Sequence, residues 1–378
     1  MKNKIKDLLT PILAVLIALL IGGIIIHYLG EDPIEAYGYL FSGAFSGQRE
    51  FARTLTEATP MIFTGLSLLI GFKAGLFNIG AQGQVIAGGI AAVTVGAFLN
   101  NTLINNFLVV LIIAALAGFL FAGFAGFLKA KFGIHEVITT IMLNYIASAF
   151  EQYCLNYPLK AGGVDGPSPQ TPPVLEAARL PQIFAETNTH FNIGFIIAVA
   201  SAILVWFIFK KTVLGYEIKA TGHNITSSEN AGINVRKIFL ITMGLSGLFA
   251  GLAGAERVLG GIGQYTYKSG LMASYGFDGM AIALLGKNNP FGVIIAAILF
   301  AALRVGGSEM QFQTDVPNQI IIIIQALIIL LIATENMFKI FFDKNTAKPI
   351  NAGNKSNKDV MDADKLDFAL AFTSSELR

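Results

Sequence analysis

The chain has 378 residues, of which 54% are hydrophobic and only 13% are charged, and its mean hydropathy is +0.64. Charged residues make up roughly 25% of soluble domains, so this chain has too few charged residues to cover the surface of a soluble protein. The formal net charge is +2 and the basic residues are scattered between apolar segments, which argues against a nucleic-acid partner. The composition instead predicts a membrane protein in contact with lipid.

Apolar runs long enough to cross a bilayer recur along the chain. A hydrocarbon core about 30 Å thick needs about 20 helical residues, and residues 74–128 contain no Asp, Glu, Lys or Arg. The first run follows a basic N-terminus but is too long for a signal-peptide core, so we expect an uncleaved span. The runs predict an all-α, polytopic bundle of ten spans, at residues 8–29, 57–72, 75–99, 107–128, 137–157, 191–209, 238–255, 271–286, 290–303 and 317–337.

The distribution of lysine and arginine orients these spans, because cytoplasmic connections carry an excess of both. With the N-terminus inside, the inner segments before the C-terminal tail contain twelve of them and the outer segments contain seven. The seven outer residues are Arg49, Arg53, Lys160, Arg179, Arg257, Lys268 and Arg304. The alternation predicts a cell-membrane protein with both termini in the cytoplasm.

Five spans in each half would give the halves opposite orientations, as in inverted-repeat transporters. Residues 71–80 faintly resemble residues 276–286, and each stretch precedes a helix rich in glycine, alanine and isoleucine. An inverted five-plus-five repeat and two unrelated halves both remain open at this point.

Two polar regions complete the domain organisation. Residues 158–190 contain six of the twelve prolines, which predicts an extended external loop that either docks a partner or serves as a linker. Residues 338–378 are polar and mixed in charge, which predicts a disordered cytoplasmic tail. Residues 1–337 form the predicted transmembrane domain.

The amides Asn78, Gln82 and Gln84 lie among three glycines of residues 75–84, in or beside a predicted span. Unpaired polar groups are costly at membrane depth, and glycine weakens helices. One interpretation is a broken helix whose amides line a path for a polar solute; the other is hydrogen bonding between helices. The further candidates for a solute path are Asn144, Tyr145, Phe277 and Asp278, all in later spans.

The inner loop at residues 210–237 is the longest and most basic internal connection. Thr226 and Glu229 have the spacing of a capping box, and Gly232 can end a helix about two turns long. A short helix held at the cytoplasmic surface would suit contact with a soluble partner. The chain lacks a complete phosphate-binding loop and any metalloprotease or nucleophile-elbow motif, so we expect no catalysis and no cofactor.

Three stretches of this sequence resemble the permease subunits of ABC importers for ribose, branched-chain amino acids and nucleosides. They are residues 75–84, residues 136–145, and residues 220–234 together with 275–279 and 284–286. The sequence of residues 75–84 is most similar to that of permeases in the nucleoside and simple-sugar branch. The likeness covers residues 55 to 335, which is most of the chain.

The resemblance implies partners and a coupling surface. It implies a cytoplasmic subunit that binds and hydrolyses ATP, a second permease in a heterodimer, and an extracytoplasmic solute-binding lipoprotein. It places contact with the ATPase in loop 210–237, at Lys219, Gly222, Asn224, Glu229, Ala231 and Gly232. The expected solute is a nucleoside. An ion-coupled secondary transporter of a sugar or nucleoside is the main alternative, and a membrane scaffold or sensor is a third class.

Overall fold

The computed structural model describes residues 2–99, 106–163, 166, 168–183 and 189–333, and within them the fold is entirely helical. The helices are α1 (Lys2–Tyr28), α2 (Pro33–Phe45), α3 (Gln48–Lys73), α4 (Ala81–Val93, continued by a π-helical turn Thr94–Phe98), α5 (Phe107–Phe132), α6 (Glu136–Asn156), α7 (Gly194–Lys211), α8 (Val213–His223), α9 (Ile225–Asn230), α10 (Val235–Leu259), α11 (Tyr275–Leu285), α12 (Pro290–Gln313) and α13 (Gln319–Ala333). The predicted tail, residues 338–378, lies outside the described residues.

All ten predicted spans coincide with helices. Among the described residues, seven helices are long and apolar enough to cross a membrane, and α11 and α13 are shorter apolar helices. Together with α6 they account for the ten spans of a multi-pass membrane protein. The bounds differ from prediction chiefly at α3, which begins nine residues early at Gln48, and at α12, which continues to Gln313.

Helix α2 was not predicted. Asp32 caps its N-terminus by accepting a hydrogen bond from the backbone N–H of Ile34 at 2.8 Å, and Pro33 occupies the first turn. Its buried residues are Ala36, Leu40, Gly43 and Ala44, which form one stripe along the helix. This stripe packs against α12, so α2 is bound to the bundle through its small residues, while Ile34 and Phe41 are exposed.

The connections alternate between two faces of the bundle. On one, called here the basic face, Gly222 packs against Lys73 and Gly75, and Lys129 pairs with Glu136 at 2.5 Å. On the other, called the long-loop face, the connection after α6 bonds to the one after α10. Its contacts include Val174 N–H to Tyr265 O at 2.8 Å. Residues 170–182 are therefore folded onto their neighbours and are more than a linker.

In a protein built from two inverted five-span halves, equivalent spans of each half pack against the other half. The helices of this protein pack in this way. Counting the predicted spans, the seventh (α10) packs on the third and fourth (α4, α5), and the second (α3) packs on the eighth and ninth (α11, α12). The sequence likeness does not map onto equivalent positions, however. Residues 71–80 end the second span and form the turn after it, whereas residues 276–286 belong to the eighth span itself.

Glycines allow α10 to lie at backbone distance from its neighbours. A Cβ at Gly247 would lie 2.2 Å from the carbonyl oxygen of Gly118, and one at Gly251 would lie 2.4 Å from that of Ala114. A Cβ at Gly254 would lie 2.0 Å from the carbonyl oxygen of Val85. Such close contact is typical of small-residue helix interfaces in membranes.

Candidate functional site

The polar break before α4 is tied together by its own side chains. Asn78 is fully buried and its amide donates to Gln84 Oε1 at 2.9 Å and to Ser246 Oγ at 2.8 Å. Gln84 donates back to Asn78 Oδ1 at 2.9 Å. The chain enters this break through Gly75, whose φ of 71° favours glycine. The pairing satisfies polar groups that would otherwise be costly at this depth.

Gln82 joins α4 to the start of α11. Its amide donates to the carbonyl oxygen of Met272 at 2.6 Å and accepts from the backbone N–H of Gly276 at 2.9 Å. A Cβ at Gly276 would lie 2.2 Å from the backbone nitrogen of Gln82, so the two segments meet in close contact. Gln82 thus links the break before α4 to the segment that precedes the predicted path residues Phe277 and Asp278.

Asn144 on α6 extends the same network. Its side chain accepts from the Gly83 N–H at 2.8 Å and donates to the carbonyl oxygen of Ile79 at 3.0 Å. Tyr145, its neighbour, is 69% exposed on the outside of the bundle. The structure therefore brings the amides together as bonds between helices and leaves Tyr145 apart from them; a role for these residues in the solute path stays a prediction.

A cavity of about 440 Å³ lies between α3, α10, α11, α12 and α13, and it is called here the charged cavity. Of the predicted path residues, Asp278 lines it, whereas Phe277 is half exposed and does not. The lining residues are Glu57, Arg257, Gly270, Leu271, Ala273, Ser274, Tyr275, Asp278, Arg304, Asn318, Ile321, Ile322 and Gln325. Because residues 270–275 contribute to it, the cavity lies toward the long-loop face.

Glu57 is the centre of an ion-pair network in this cavity. Its carboxylate accepts from Arg257 at 3.1 Å and from Arg304 at 3.0 Å, and it also accepts from the hydroxyl of Tyr275. The guanidinium carbons of Arg257 and Arg304 lie 4.6 Å and 4.9 Å from the centroid of the Tyr275 ring. The ring is therefore held by both cations as well as by its hydroxyl.

Asp278 is the second carboxylate of this ion-pair network. It pairs with Arg304 and also accepts from Ser274 Oγ at 3.1 Å, while Arg304 donates to the same Oγ at 3.1 Å. Ser274 has a φ of 68°, which is uncommon for a residue with a side chain.

Sequence reasoning missed three members of this site. Arg257 and Arg304 were counted among outer connections, but they lie inside α10 and α12, with side chains 8% and 25% exposed. Charged residues were used to delimit spans, which moved both arginines out of the helices. Glu57 fell at the predicted edge of a span, and only a search for oppositely charged residues near span ends could have pointed to it.

Loop 210–237 folds into α8 and α9 on the basic face. The side chain of Asn224 caps α9 by accepting from the Ser227 N–H at 2.9 Å, so the capping residue lies two residues before the predicted cap, Thr226. Gly232 follows the helix with a φ of 82°. Of the predicted coupling residues, Lys219 is partly exposed, and Gly222, Asn224, Glu229, Ala231 and Gly232 are exposed.

A second cavity, of about 510 Å³, lies between α4, α5 and α6. Its lining is formed by alanine, isoleucine, leucine and phenylalanine side chains, including Ile90, Leu120, Phe121 and Phe150. With no hydrogen-bonding side chain in its lining, this cavity cannot orient a polar solute.

The described fold is an all-helical bundle with seven helices long and apolar enough to cross a membrane. The family model described as "Branched-chain amino acid transport system / permease component" matches residues 51–333, and the chain belongs to this family. It is thus a permease subunit of the kind found in ABC transporters, and a transport subunit rather than an enzyme.

Three relatives match over most of their length. The guanosine ABC transporter permease protein NupP of Bacillus subtilis is 36% identical, with 93% of this chain and 100% of the relative covered. The glucose ABC transporter permease protein TsgB13 of Haloferax volcanii is 34% identical, over 87% and 88%. The nucleoside ABC transporter permease protein NupB of Lactococcus lactis is 35% identical, over 95% and 99%. No solved structure matches this chain.

Proposed function

We propose that this chain is the permease subunit of an ATP-driven ABC importer that carries nucleosides. The observation that carries the proposal is its likeness, at 36% and 35% identity over nearly the whole chain, to permeases named for guanosine and for nucleosides. The likeness to a glucose permease, at 34%, keeps a sugar as the competing solute.

The chemistry of the charged cavity supports a nucleoside over a sugar. Charged and amide side chains line one part of it, and Leu271, Ile321 and Ile322 line another. A nucleoside combines hydroxyls with a flat base that has an apolar face, so both kinds of wall find a partner. A sugar has hydroxyls around its ring and no flat aromatic face, so it would pack less closely against the apolar wall.

The basic face is the proposed docking surface for the ATP-hydrolysing subunit, and we assign it to the cytoplasm. Helices α8 and α9 project exposed side chains there, while Ile218 and Ser228 anchor them on the bundle. Gly222 of α8 packs against Gly75, three residues before Asn78, so movement of α8 would reach the polar break directly. The long-loop face would then receive a solute-binding protein.

A second, non-identical permease is the proposed partner within the membrane. Two different guanosine permease proteins of B. subtilis, NupP and NupQ, match this chain at 36% and 27% identity. Two such proteins in one organism are what a heterodimeric pathway requires. The same pattern holds for NupB and NupC of L. lactis, at 35% and 25%.

Ion-coupled transport fits the site less well. A proton- or cation-coupled carrier needs a carboxylate in the solute path that can take up the ion, whereas Glu57 and Asp278 are both held by arginines. Glu256 is also buried, but it accepts from Asn192 at 3.1 Å and does not line the charged cavity. The carboxylate of Glu151 accepts from the hydroxyl of Tyr267 at 2.9 Å and does not line the charged cavity.

The test is uptake of radiolabelled guanosine by cells that express this chain with its neighbouring ATPase, permease and binding-protein genes. We expect saturable uptake that unlabelled nucleosides compete for and that glucose, ribose and leucine leave unchanged. Competition by glucose or ribose instead would establish the sugar alternative. Uptake that survives ATP depletion and collapses with an ionophore would exclude the ABC mechanism.

A further inference from the structure

The charges of the cavity between α3 and α10–α13 cancel within the site. Glu57 and Asp278 contribute two carboxylates, and Arg257 and Arg304 contribute two guanidiniums; each acid already contacts at least one of the arginines. A solute with ionised groups, whether a nucleotide or a zwitterion, could pair with these side chains only by separating one of the existing pairs, and the group left behind would be unpaired in a largely buried site. A neutral solute needs no such rearrangement.

Hydrogen-bonding capacity remains in the same walls. The Nε of Arg257 is buried and has no hydrogen-bond partner among the described residues. Asn318, just before α13, and Gln325 on α13 line the cavity, and Gln325 uses its amide nitrogen to donate to the carbonyl oxygen of Phe300 at 3.3 Å. Donors on charged groups form stronger hydrogen bonds than neutral ones, so a hydroxylated solute would be held firmly.

The backbone of Ser274 is held in an unusual conformation at the edge of the cavity. Its φ of 68° is maintained by the hydrogen bonds that its hydroxyl makes with Asp278 and Arg304. Strained residues persist only where the surroundings hold them, and they concentrate at ligand sites. Ser274 lines the cavity together with Leu271 and Ala273, its neighbours in the chain, and with residues of α13.

We propose that this cavity is the nucleoside-binding site of the permease and that it selects the uncharged nucleoside against nucleotides and zwitterionic amino acids. This inference rests on the proposed function and adds the site and the basis of selection. The internally paired charges would hydrogen-bond to ribose hydroxyls and base edges, and the apolar wall would pack on the base. A volume of about 440 Å³ is within the ordinary range for small-molecule sites.

The chain is well suited to a cysteine-protection experiment, because its single cysteine, Cys154, is buried. In a Cys154→Ala background of the complete transporter, Ala273→Cys introduces a thiol in the cavity wall outside the ion-pair network. Ile322→Cys on α13 is a second, independent position. Glu176→Cys is the control, because that side chain is 92% exposed outside the cavity.

The rate of labelling by a membrane-impermeant thiol reagent is measured with guanosine, guanosine 5′-monophosphate or leucine at matched concentrations. We expect guanosine to slow labelling severalfold at positions 273 and 322 and to leave position 176 unchanged, with no protection by the other two compounds. Equal protection by the nucleotide or leucine would overturn the selectivity. Unchanged labelling at both cavity positions in a transporter that takes up guanosine would overturn the site and leave the proposed function standing. Absence of guanosine uptake by the parent transporter would count against the proposed function itself.

Discussion

Glu57 and Arg304 are 247 residues apart in the chain and form an ion pair with a distance of 3.0 Å between Oε1 and Nη1. The pair joins α3 to α12, which belong to opposite halves of the bundle. Arg257 approaches the other oxygen of the same carboxylate at 3.1 Å. One carboxylate thus connects three helices beside the cavity that we assign to the solute.

Replacing Glu57 should destabilise the protein, because the change leaves two guanidiniums short of a partner. Breaking a buried ion pair on one side costs about 3–5 kcal/mol, so we expect Glu57→Gln to lower the midpoint of thermal unfolding in detergent clearly. The double variant Glu57→Gln with Arg257→Gln should recover part of the loss. Glu176→Gln, at a side chain 92% exposed, is the control and should leave the midpoint unchanged. An unaltered midpoint for Glu57→Gln would show that the pairing is not stabilising.

Substitutions in the amide network should change the kinetics of uptake differently from substitutions in the cavity. Asn78→Ala would leave the side-chain amide of Gln84 without its partner, at a cost of about 1–3 kcal/mol for an unsatisfied buried group, whereas Ser246 would keep its hydrogen bond to Ser67. If these bonds only hold helices together, Asn78→Ala should reduce the amount of folded transporter and the maximal uptake rate, with KM for guanosine unchanged.

Variants of the cavity should act on KM instead. Asn318→Ala removes a lining amide, and we expect KM for guanosine to rise by about tenfold if one good hydrogen bond to the solute is lost. A raised KM for Asn78→Ala together with an unchanged KM for Asn318→Ala would move the solute path to the amides. Both kinetic constants come from initial rates of uptake normalised to surface expression.

Two glycines on α5 offer a matched test of helix packing. A Cβ at Gly118 would lie 2.2 Å from the carbonyl oxygen of Gly247, whereas a Cβ at Gly123 would meet nothing within 4 Å. We expect Gly118→Ala to force α5 away from α10 and to lower thermal stability. Gly123→Ala should be neutral or slightly stabilising, since alanine favours a helix more than glycine does. Equal effects of the two substitutions would contradict the packing described here.

The basic face predicts a loss of coupling without loss of folding. Glu229 is exposed on α9, so Glu229→Lys should leave thermal stability unchanged while reducing solute-stimulated ATP hydrolysis in the assembled transporter. The same charge reversal at Glu176, which is exposed outside α8 and α9, should leave ATP hydrolysis unchanged. Normal stimulation in Glu229→Lys would remove α9 from the contact with the ATPase.

The sequence predicted the fold through features that are local. Charge-free runs located the ten spans, and glycines next to amides located the break before α4. The short helix α9 was predicted from its end at Gly232, although the side chain that caps its start is Asn224. Helix α2 was missed because its 13 residues are too few for a span and its apolar stripe is short.

The charged cavity could be predicted only in part, because its bonds are not local. Asp278 was noticed as a lone carboxylate within an apolar run. Its partner Arg304 and the pair formed by Glu57 and Arg257 become recognisable only when α3, α10, α11 and α12 are packed together. Local sequence patterns predict that a charged residue lies at the end of a span. Only the packing of the helices shows that it is buried beside a residue of opposite charge some 200 positions away in the chain.

The most direct test of the central claim is accumulation of labelled guanosine in proteoliposomes that contain the purified complete transporter. We predict accumulation that requires ATP on the side of the ATPase and that is absent when this chain is reconstituted alone with a proton or sodium gradient. Accumulation by the chain alone on an ion gradient, or ATP-dependent uptake of glucose with no uptake of guanosine, would contradict the account.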